Sequence, residues 1–236
     1  MSASTSLDTP KNRLLAALPA EVYQRLLPHL QVVDLPLEQV IHGYNEPTEY
    51  IYFPQQGIVS LVSIMANGAT VEVGLVGKEG MVGMQALLGG NTMPNQAFAQ
   101  IPGQATRIRT EHLQVEFDRG GALQKLLLRY VQALYTQVSQ TAACNRLHTI
   151  EARLARWLLL VRYSLESDEI PLTQEYISQM LGTRRAGVTE AASDLQKAGL
   201  IRYRRGRITI LDPADLEAVA CECYQVVRDE FDRLLR

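Results

Sequence analysis

An α+β fold in three parts is predicted for this chain: a jelly-roll-like β-roll over residues 1–118, a long helix over 119–148, and a small helical domain with a basic hairpin over 149–236. Three observations predict it. Twelve of the 16 glycines lie between Gly43 and Gly121, and eight of the 10 prolines precede residue 103. Ala122 to Ile170 then contains neither, and its first half repeats apolar residues at heptad spacing. Beyond it, two helix-type stripes separated by a glycine run into an arginine-rich alternating segment. A turn-rich half followed by an unbroken run reads as a β-domain feeding into helix. The 236 residues exceed one typical domain of about 100–150. At 47% hydrophobic and 20% charged, the composition is that of a globular protein and excludes a largely disordered one.

The front half begins with two short helical pieces over residues 11–30, separated at Pro19. Tyr50–Phe53, Ile58–Ile64, Thr70–Val76 and Ala97–Ile101 are strand-like in their β-branched and aromatic content. Asn67-Gly68 between two of these runs predicts a two-residue hairpin, since both residues tolerate positive φ. Several short strands at close spacing suggest a sandwich or roll.

Leu123, Leu127, Tyr130, Leu134, Gln137, Thr141 and Cys144 follow 4-3 spacing, the seam of a dimerisation helix, and Leu126, Val131 and Val138 widen its apolar face, so that one face can bury on the roll and one on a partner helix. The alternative is an amphipathic helix packed on its own β-domain. A second helix is expected over Ile150–Leu165 with Thr149 as its N-cap.

Charge is partitioned along the chain although the net value is only −2. Residues 1–118 carry −5, 119–169 carry +3, 170–211 carry +4 and 212–236 carry −4. The most basic stretch is also the most structured in its signals. Thr173 can cap a helix from Gln174, with Glu175 in its first turn, where the helix dipole favours an anion. Tyr176, Ile177, Met180 and Leu181 mark its inner side, Gly182 turns the chain, and Thr183 is expected to cap the next helix. There Val188, Ala192 and Leu195 form the buried stripe, leaving Arg184, Arg185, Thr189, Glu190 and Ser193 near the other face. Gly199 ends the helix, and residues 200–204 and 207–211 alternate as a hairpin around Arg205-Gly206. Helix, glycine turn, helix and basic hairpin is the layout of a winged helix-turn-helix, whose second helix fits a DNA major groove. Arg204, Arg205 and Arg207 suit phosphate contacts, which give affinity without sequence information. A charge run alone is usually a solvated face; the ordered combination of caps, turn glycine, stripe and basic hairpin points to double-stranded DNA.

With Leu172–Arg185 and Leu195–Ile201 as its most specific stretches, the chain over about residues 12–211 resembles the Crp/Fnr superfamily of bacterial transcription regulators. The resemblance implies a cyclic-nucleotide-binding-type roll, a dimerisation helix and a winged DNA-binding domain. It also implies that Arg185 makes a bidentate guanine contact. Ala186 stands where the family commonly has Glu, Glu190 follows four positions later, and Gly187 costs about 1 kcal/mol of helix propensity against Ala. The target is therefore expected to differ from the family's best-known palindrome.

The family's nucleotide cassette, Gly-Glu followed by Arg-Ser/Thr-Ala, corresponds here to Glu79–Leu88 and Pro94–Ala97. Gly83 and Ala97 keep the small positions, but Met84 replaces the Glu, and Asn95 or Pro94 replaces the Arg. A buried phosphate without a charged partner loses the bonds that offset its desolvation. Met81, Met84, Leu87, Asn95, Gln96 and Ala97, with Val138 and Ser139 on the long helix, are the candidate effector residues. They suit either a collapsed pocket filled by methionines or one for an apolar effector, and not cyclic AMP.

No cofactor or metal is expected. Iron–sulfur members of the superfamily use N-terminal cysteines, and here none precedes Cys144. Cys221 and Cys223 are read as lying on one C-terminal helix, about 200° apart, where they could not hold one ion together. The four histidines, 29, 42, 112 and 148, show no metal-ligand spacing, and no nucleophile elbow, P-loop or carboxylate pair suggests an enzyme. The acidic C-terminal helix has an apolar stripe that its own domain, a dimer partner or RNA polymerase could cover. Three cysteines, no signal peptide and no run of 18 apolar residues fit a cytoplasmic protein without a membrane anchor. The expectation is a homodimeric regulator on a near-palindromic site. Its rivals are a constitutive DNA-binding protein with a ligand-dead roll and a sensing module whose winged domain binds protein.

Overall fold

The computed structural model describes residues 10–235. The chain forms two compact units: one from residues up to Val59, Val76–Gln132 and the C-terminal residues from Arg233, the other from Ser60–Leu75 and Ala133–Asp232. These differ from the expected boundaries at residues 118 and 148, because a β-hairpin from the front half and the end of the long helix belong with the winged domain.

In the first unit, helix α1 (Arg13–Ala16) is nucleated by Asn12, whose Oδ1 accepts from Leu14 N at 3.0 Å and Leu15 N at 3.3 Å. The Asn12 amide is fully buried and donates to Pro54 O and Gly80 O, so one side chain caps the helix and fastens it to a strand at Pro54 and a turn at Gly80. Helix α2 (Ala20–Leu26) starts after Pro19, as the sequence predicts. Strands β1 (Gln31–Leu35), β2 (Val40–His42), β3 (Tyr50–Ile64), β4 (Thr70–Val76) and β5 (Asn95–Arg109) follow along the chain, with residues 60–75 of β3 and β4 belonging to the second unit. The sheet order is β1-β5-β3-β4, with β2 also on β5 and β1 antiparallel to β5 from Gln31↔Arg107 to Leu35↔Gly103.

Tyr50–Phe53 and Ile58–Ile64 are one 15-residue strand, not two. The intervening Gly57 has φ +80°, and a Cβ there would meet Ile101 O at 2.4 Å. A Cβ at Gly103 would lie 2.1 Å from Gln56 O. These glycines allow two strands to approach closely; they do not break them. Helix α3 (Thr110–Asp118) has no counterpart in the sequence reading and leads into α4 (Ala122–Leu147). Arg25 of α2 grips Glu116 of α3 with two hydrogen bonds, 2.6 and 3.0 Å.

In the second unit the hairpin between β3 and β4 turns differently from the two-residue loop expected. Gly68 N donates to Met65 O at 2.9 Å, Gly68 alone of the Asn-Gly pair has positive φ, and Asn67 Oδ1 accepts from Ala69 N. Helix α5 (Ile150–Leu165) is capped by Thr149 as predicted. Its residues Leu154–Val161 are buried on every side, which explains a helix with almost no polar face at its centre. Then come β6 (Glu169–Ile170), α6 (Gln174–Met180), α7 (Arg185–Lys197), β7 (Ile201–Arg204), β8 (Arg207–Ile210), α8 (Pro213–Val219) and α9 (Cys223–Leu235). Two helices replace the single C-terminal helix expected. The apolar stripe expected over Leu216, Val219, Cys223, Val226, Val227, Phe231 and Leu234 is divided between them: Val226 is 40% exposed, while Leu216, Val227 and Phe231 are buried.

Candidate DNA interface and effector region

Thr173 caps α6, accepting from Tyr176 N at 3.3 Å. Ile177, Met180 and Leu181 are buried, and Gly182 turns the chain at φ +57°. Arg184, not Thr183, is the N-cap of α7, and it makes no side-chain cap hydrogen bond. The reason is local: Thr183 N closes the turn onto Ser178 O, so the chain enters helical geometry one residue later. Val188, Ala191, Ala192 and Leu195 form the buried stripe. Arg184, Arg185, Thr189 and Glu190 are exposed, with Ser193 half-buried.

Gly187, an apparent flaw in the helix, has a packing reason. A Cβ there would sit 2.7 Å from Ile150 Cδ1 at the start of α5. Gly199 takes the left-handed conformation just past α7, with its N–H on Gln196 O, as expected of a helix-ending glycine.

The wing is a hairpin with Arg205 and Gly206 both at positive φ, +51° and +74°, the primed turn that matches strand twist. Arg204, Arg205 and Arg207 are exposed. Short β6, unseen in the sequence, pairs with β8, and Arg207 reaches Glu169 at 3.4 Å. Three further residues missed by the sequence reading tie the module together. Tyr203 N donates to Gln196 Oε1 at 2.8 Å, Tyr203 Oη accepts from Gln174 N at 3.2 Å, and Thr189 Oγ1 donates to Gln174 Oε1 at 2.9 Å. Glutamine and tyrosine at isolated positions carry no periodic signal that could have announced these bonds. Arg185 lies 3.6 Å from Glu175 and keeps two-thirds of its side chain exposed. An open cleft of about 950 Å3 runs along the start of α7, between Glu175, Arg184 and Arg185 on one side and Ala69 and Thr70 of the hairpin on the other.

In the effector region, Gly83 has φ +98° and precedes a 3₁₀ turn over Met84–Leu88. Met81, Leu87 and Ala97 are buried, and Met84, Asn95 and Gln96 are half-buried. A Cβ at Gly83 would be 3.0 Å from Thr48 Cγ2 and 3.1 Å from Tyr50 O, so the small cassette position lies against the start of β3 and the loop before it. Arg107 does not serve this site: its guanidinium stacks on Tyr50, 4.3 Å from the ring centroid, and its Nε donates to Gln31. Val138 and Ser139 belong to the other compact unit.

The seam of α4 points inward. Leu123, Leu127 and Tyr130 are almost fully buried in the first unit, with Tyr130 Oη donating to Met81 O at 2.9 Å. Desolvation raises the Tyr130 pKa, keeping its proton for that bond. Gln137 and Thr141 are buried in the second unit, Gln137 Oε1 accepting from Leu75 N, and Leu134 is half-buried. The dimer face expected at Leu123, Leu127, Tyr130, Leu134, Gln137 and Thr141 is therefore the face that packs on the chain itself. Two stripes of 4-3 spacing run along this helix, and the more apolar one turned inward.

The reading of the C-terminal cysteines also needs correction. Cys221 lies in the link between α8 and α9 and Cys223 opens α9, so the separation on one helix does not apply. Sγ of Cys144, Cys221 and Cys223 and a ring nitrogen of His148 all lie within 4.8 Å of one another.

Comparison with known proteins agrees with this architecture. The cyclic nucleotide-binding domain model matches residues 32–119, and the Crp-like helix-turn-helix domain model matches residues 152–219. The global nitrogen regulator of Synechococcus elongatus is 23% identical over 196 residues, spanning 79% of this chain and 88% of that relative. Its counterpart in Nostoc sp. is 23% identical over 181 residues, 73% of this chain and 81% of its own. Among solved structures, a Crp/Fnr-family regulator from Eubacterium rectale superposes with TM-score 0.68 at 18% identity, covering 87% of this chain and 96% of that one. FixK2 from Bradyrhizobium japonicum gives 0.65 at 15% identity, covering 81% and 98%. No described helix is long and apolar enough to cross a membrane. With a cyclic nucleotide-binding-type domain, a long helix and a winged helix-turn-helix in that order, the chain belongs to the Crp/Fnr superfamily of transcription regulators, which are not enzymes.

Proposed function

We propose that the protein binds a near-palindromic DNA site as a homodimer, inserting α7 into the major groove, and that cyclic AMP does not gate it. The observation that carries this reading is the outward face of α7, where Arg184, Arg185, Thr189 and Glu190 are exposed opposite a fully buried stripe. The helix has 13 residues, about 20 Å at 1.5 Å per residue, and a groove about 12 Å wide admits it. The wing arginines add phosphate contacts beside it. For the dimer, the exposed stripe on α4 is Leu128, Gln132, Tyr135, Ser139, Ala142 and Arg146, again at 4-3 spacing. Leu128 is 47% and Tyr135 72% exposed, unusual for large side chains on a helix that packs elsewhere. Two related half-sites one helical turn apart then follow from two-fold symmetry.

Against cyclic AMP stand Met84 and Asn95, which offer no cation to a phosphate; an apolar effector is the ligand class the surrounding methionines suit. In-vitro selection of bound duplex DNA should return a symmetric motif, and replacing Arg184 and Arg185 together with Ala should abolish its preference in gel shifts. Unchanged binding by that variant would move the winged domain toward protein recognition. Micromolar cyclic AMP binding in a calorimetric titration would overturn the reading of the pocket.

A further inference from the structure

Four side chains with metal-binding atoms meet at one point in the second unit. Cys144 stands in the last turns of α4, His148 at the joint between α4 and α5, Cys221 in the α8–α9 link and Cys223 at the first residue of α9. The three cysteines are buried and are free thiols. Cys144 Sγ is 3.4 Å from Cys221 Sγ, and Cys223 Sγ is 3.7 Å from His148 Nδ1. A disulfide would need about 2.0 Å. A tetrahedron with Zn–S of about 2.3 Å and Zn–N of about 2.0–2.1 Å has S···S edges of roughly 3.8 Å and S···N edges of roughly 3.5–3.6 Å, so both separations lie within a few tenths of an ångström of its edges.

We propose that Cys144, His148, Cys221 and Cys223 hold one zinc ion in a closed Cys3His site that fastens the α4–α5 joint to the α8–α9 link. Two further observations point the same way. His148 Nε2 lies 3.3 Å from Glu222 Oε2, the carboxylate–histidine arrangement that orients a metal-binding imidazole, leaving Nδ1 toward the sulfurs. Arg153 and Arg156 are 8% and 3% exposed, and neither has a carboxylate partner among the described residues. Arg153 donates to Leu181 O and Arg156 to Thr141 Oγ1, with the Nε of each unpaired. Thr141, which Arg156 meets, lies one turn before Cys144 on α4, and Ala152, next to Arg153, packs against the three cysteines. Buried cations need a counter-charge, and three thiolates around a divalent ion supply a net −1 beside them. The donor set is sulfur and nitrogen only, which suits zinc and not magnesium or calcium. A two-iron cluster would spread its ligands across two metals, beyond the 4.8 Å that contains all four atoms here.

The test is metal analysis of the full chain purified under reducing conditions without a metal-binding tag, then repeated after incubation with zinc and gel filtration. One zinc per chain is expected, and cobalt in its place should give the visible bands of a tetrahedral thiolate site. His148→Ala and Cys223→Ser should each lose most of the zinc while circular dichroism retains the native helix content. Because a Cys223 variant could disturb packing, the half-buried His148→Ala is the deciding one. Absence of zinc after reconstitution, iron with sulfide in its place, a Cys144–Cys221 disulfide in the reduced preparation, or full zinc retention by His148→Ala would each overturn the proposal.

Discussion

Arg185 pairs with Glu175 at 3.6 Å while keeping most of its side chain in solvent. Surface pairs of this kind are worth about 0–1 kcal/mol, so exchanging Glu175 for a guanine edge costs little. Replacing Arg185 with Ala should lower affinity for the selected site by roughly 5–150-fold, the about 1–3 kcal/mol of one bidentate base contact, and relax specificity at one position. Arg204→Ala should weaken all sequences alike and reduce the salt slope by about one unit. Fluorescence anisotropy across a salt series separates the two. His42 makes a different residue-scale prediction. Burial lowers its pKa, so the folded state holds it neutral. The unfolded chain takes up this proton first, and stability is lost as pH falls from about 6.5 through the lowered value. Thermal melts between about pH 7.5 and about pH 5 should show that loss, and His42→Gln should flatten it. The outward arginines were legible because exposure follows from helical period. The thiol cluster was not: it is assembled from two distant stretches of the chain, 144–148 and 221–223, and a helix assumed to run through Cys221 concealed it.

At the scale of elements, the caps of α5 and α6 and the stripes of α6 and α7 were legible from the sequence because each follows from local chemistry within a few residues, whereas the cap of α7 falls at Arg184 and not at Thr183. What was not legible depended on which partner a face meets. Helix α4 presents two 4-3 stripes, and periodicity cannot say which one turns toward the chain's own strands. Nor could spacing reveal that Gly57 and Gly103 let strands touch, or that Gly187 makes room for Ile150. The two stripes of α4 make opposite predictions. Leu127 is 1% exposed, and Leu127→Ala should cost about 2–5 kcal/mol, visible as a lower thermal midpoint. Leu128→Glu with Tyr135→Glu should leave that midpoint within a few degrees while converting a dimer to a monomer in sedimentation. The charged pair should also lose most of its affinity for the full palindrome, since each protomer then holds one half-site. A dimer unaffected by the double change would place the interface elsewhere.

At the scale of the whole molecule, the winged domain extends beyond its sequence boundaries. The single tryptophan, Trp157 of α5, donates to Glu72 Oε1 at 2.8 Å, and Ser60 Oγ donates to Glu72 Oε2 at 2.6 Å. Glu72 is 5% exposed, so a strand of the front half supplies a buried acceptor to the core of the back half. Gln137 and Thr141 of α4 line the same interior as Trp157, Leu160 and Met180. A fragment beginning at residue 149 would lack Ser60, Glu72, Gln137 and Thr141. It would leave the Trp157 N–H without its acceptor and one side of α5 uncovered, each unmet buried donor costing about 1–3 kcal/mol. That fragment should therefore show tryptophan emission shifted toward an exposed indole and a broad, low thermal transition. In the full chain Glu72→Ala should red-shift the same emission and lower the midpoint by several degrees, whereas Glu72→Gln retains a carbonyl acceptor for the indole and should change it less. Since Trp157 is the only tryptophan, both experiments read one contact. A fragment from 149 onward that melts sharply with buried-indole emission would show that the winged domain is complete without the hairpin, and that the Glu72–Trp157 bond is dispensable to its fold.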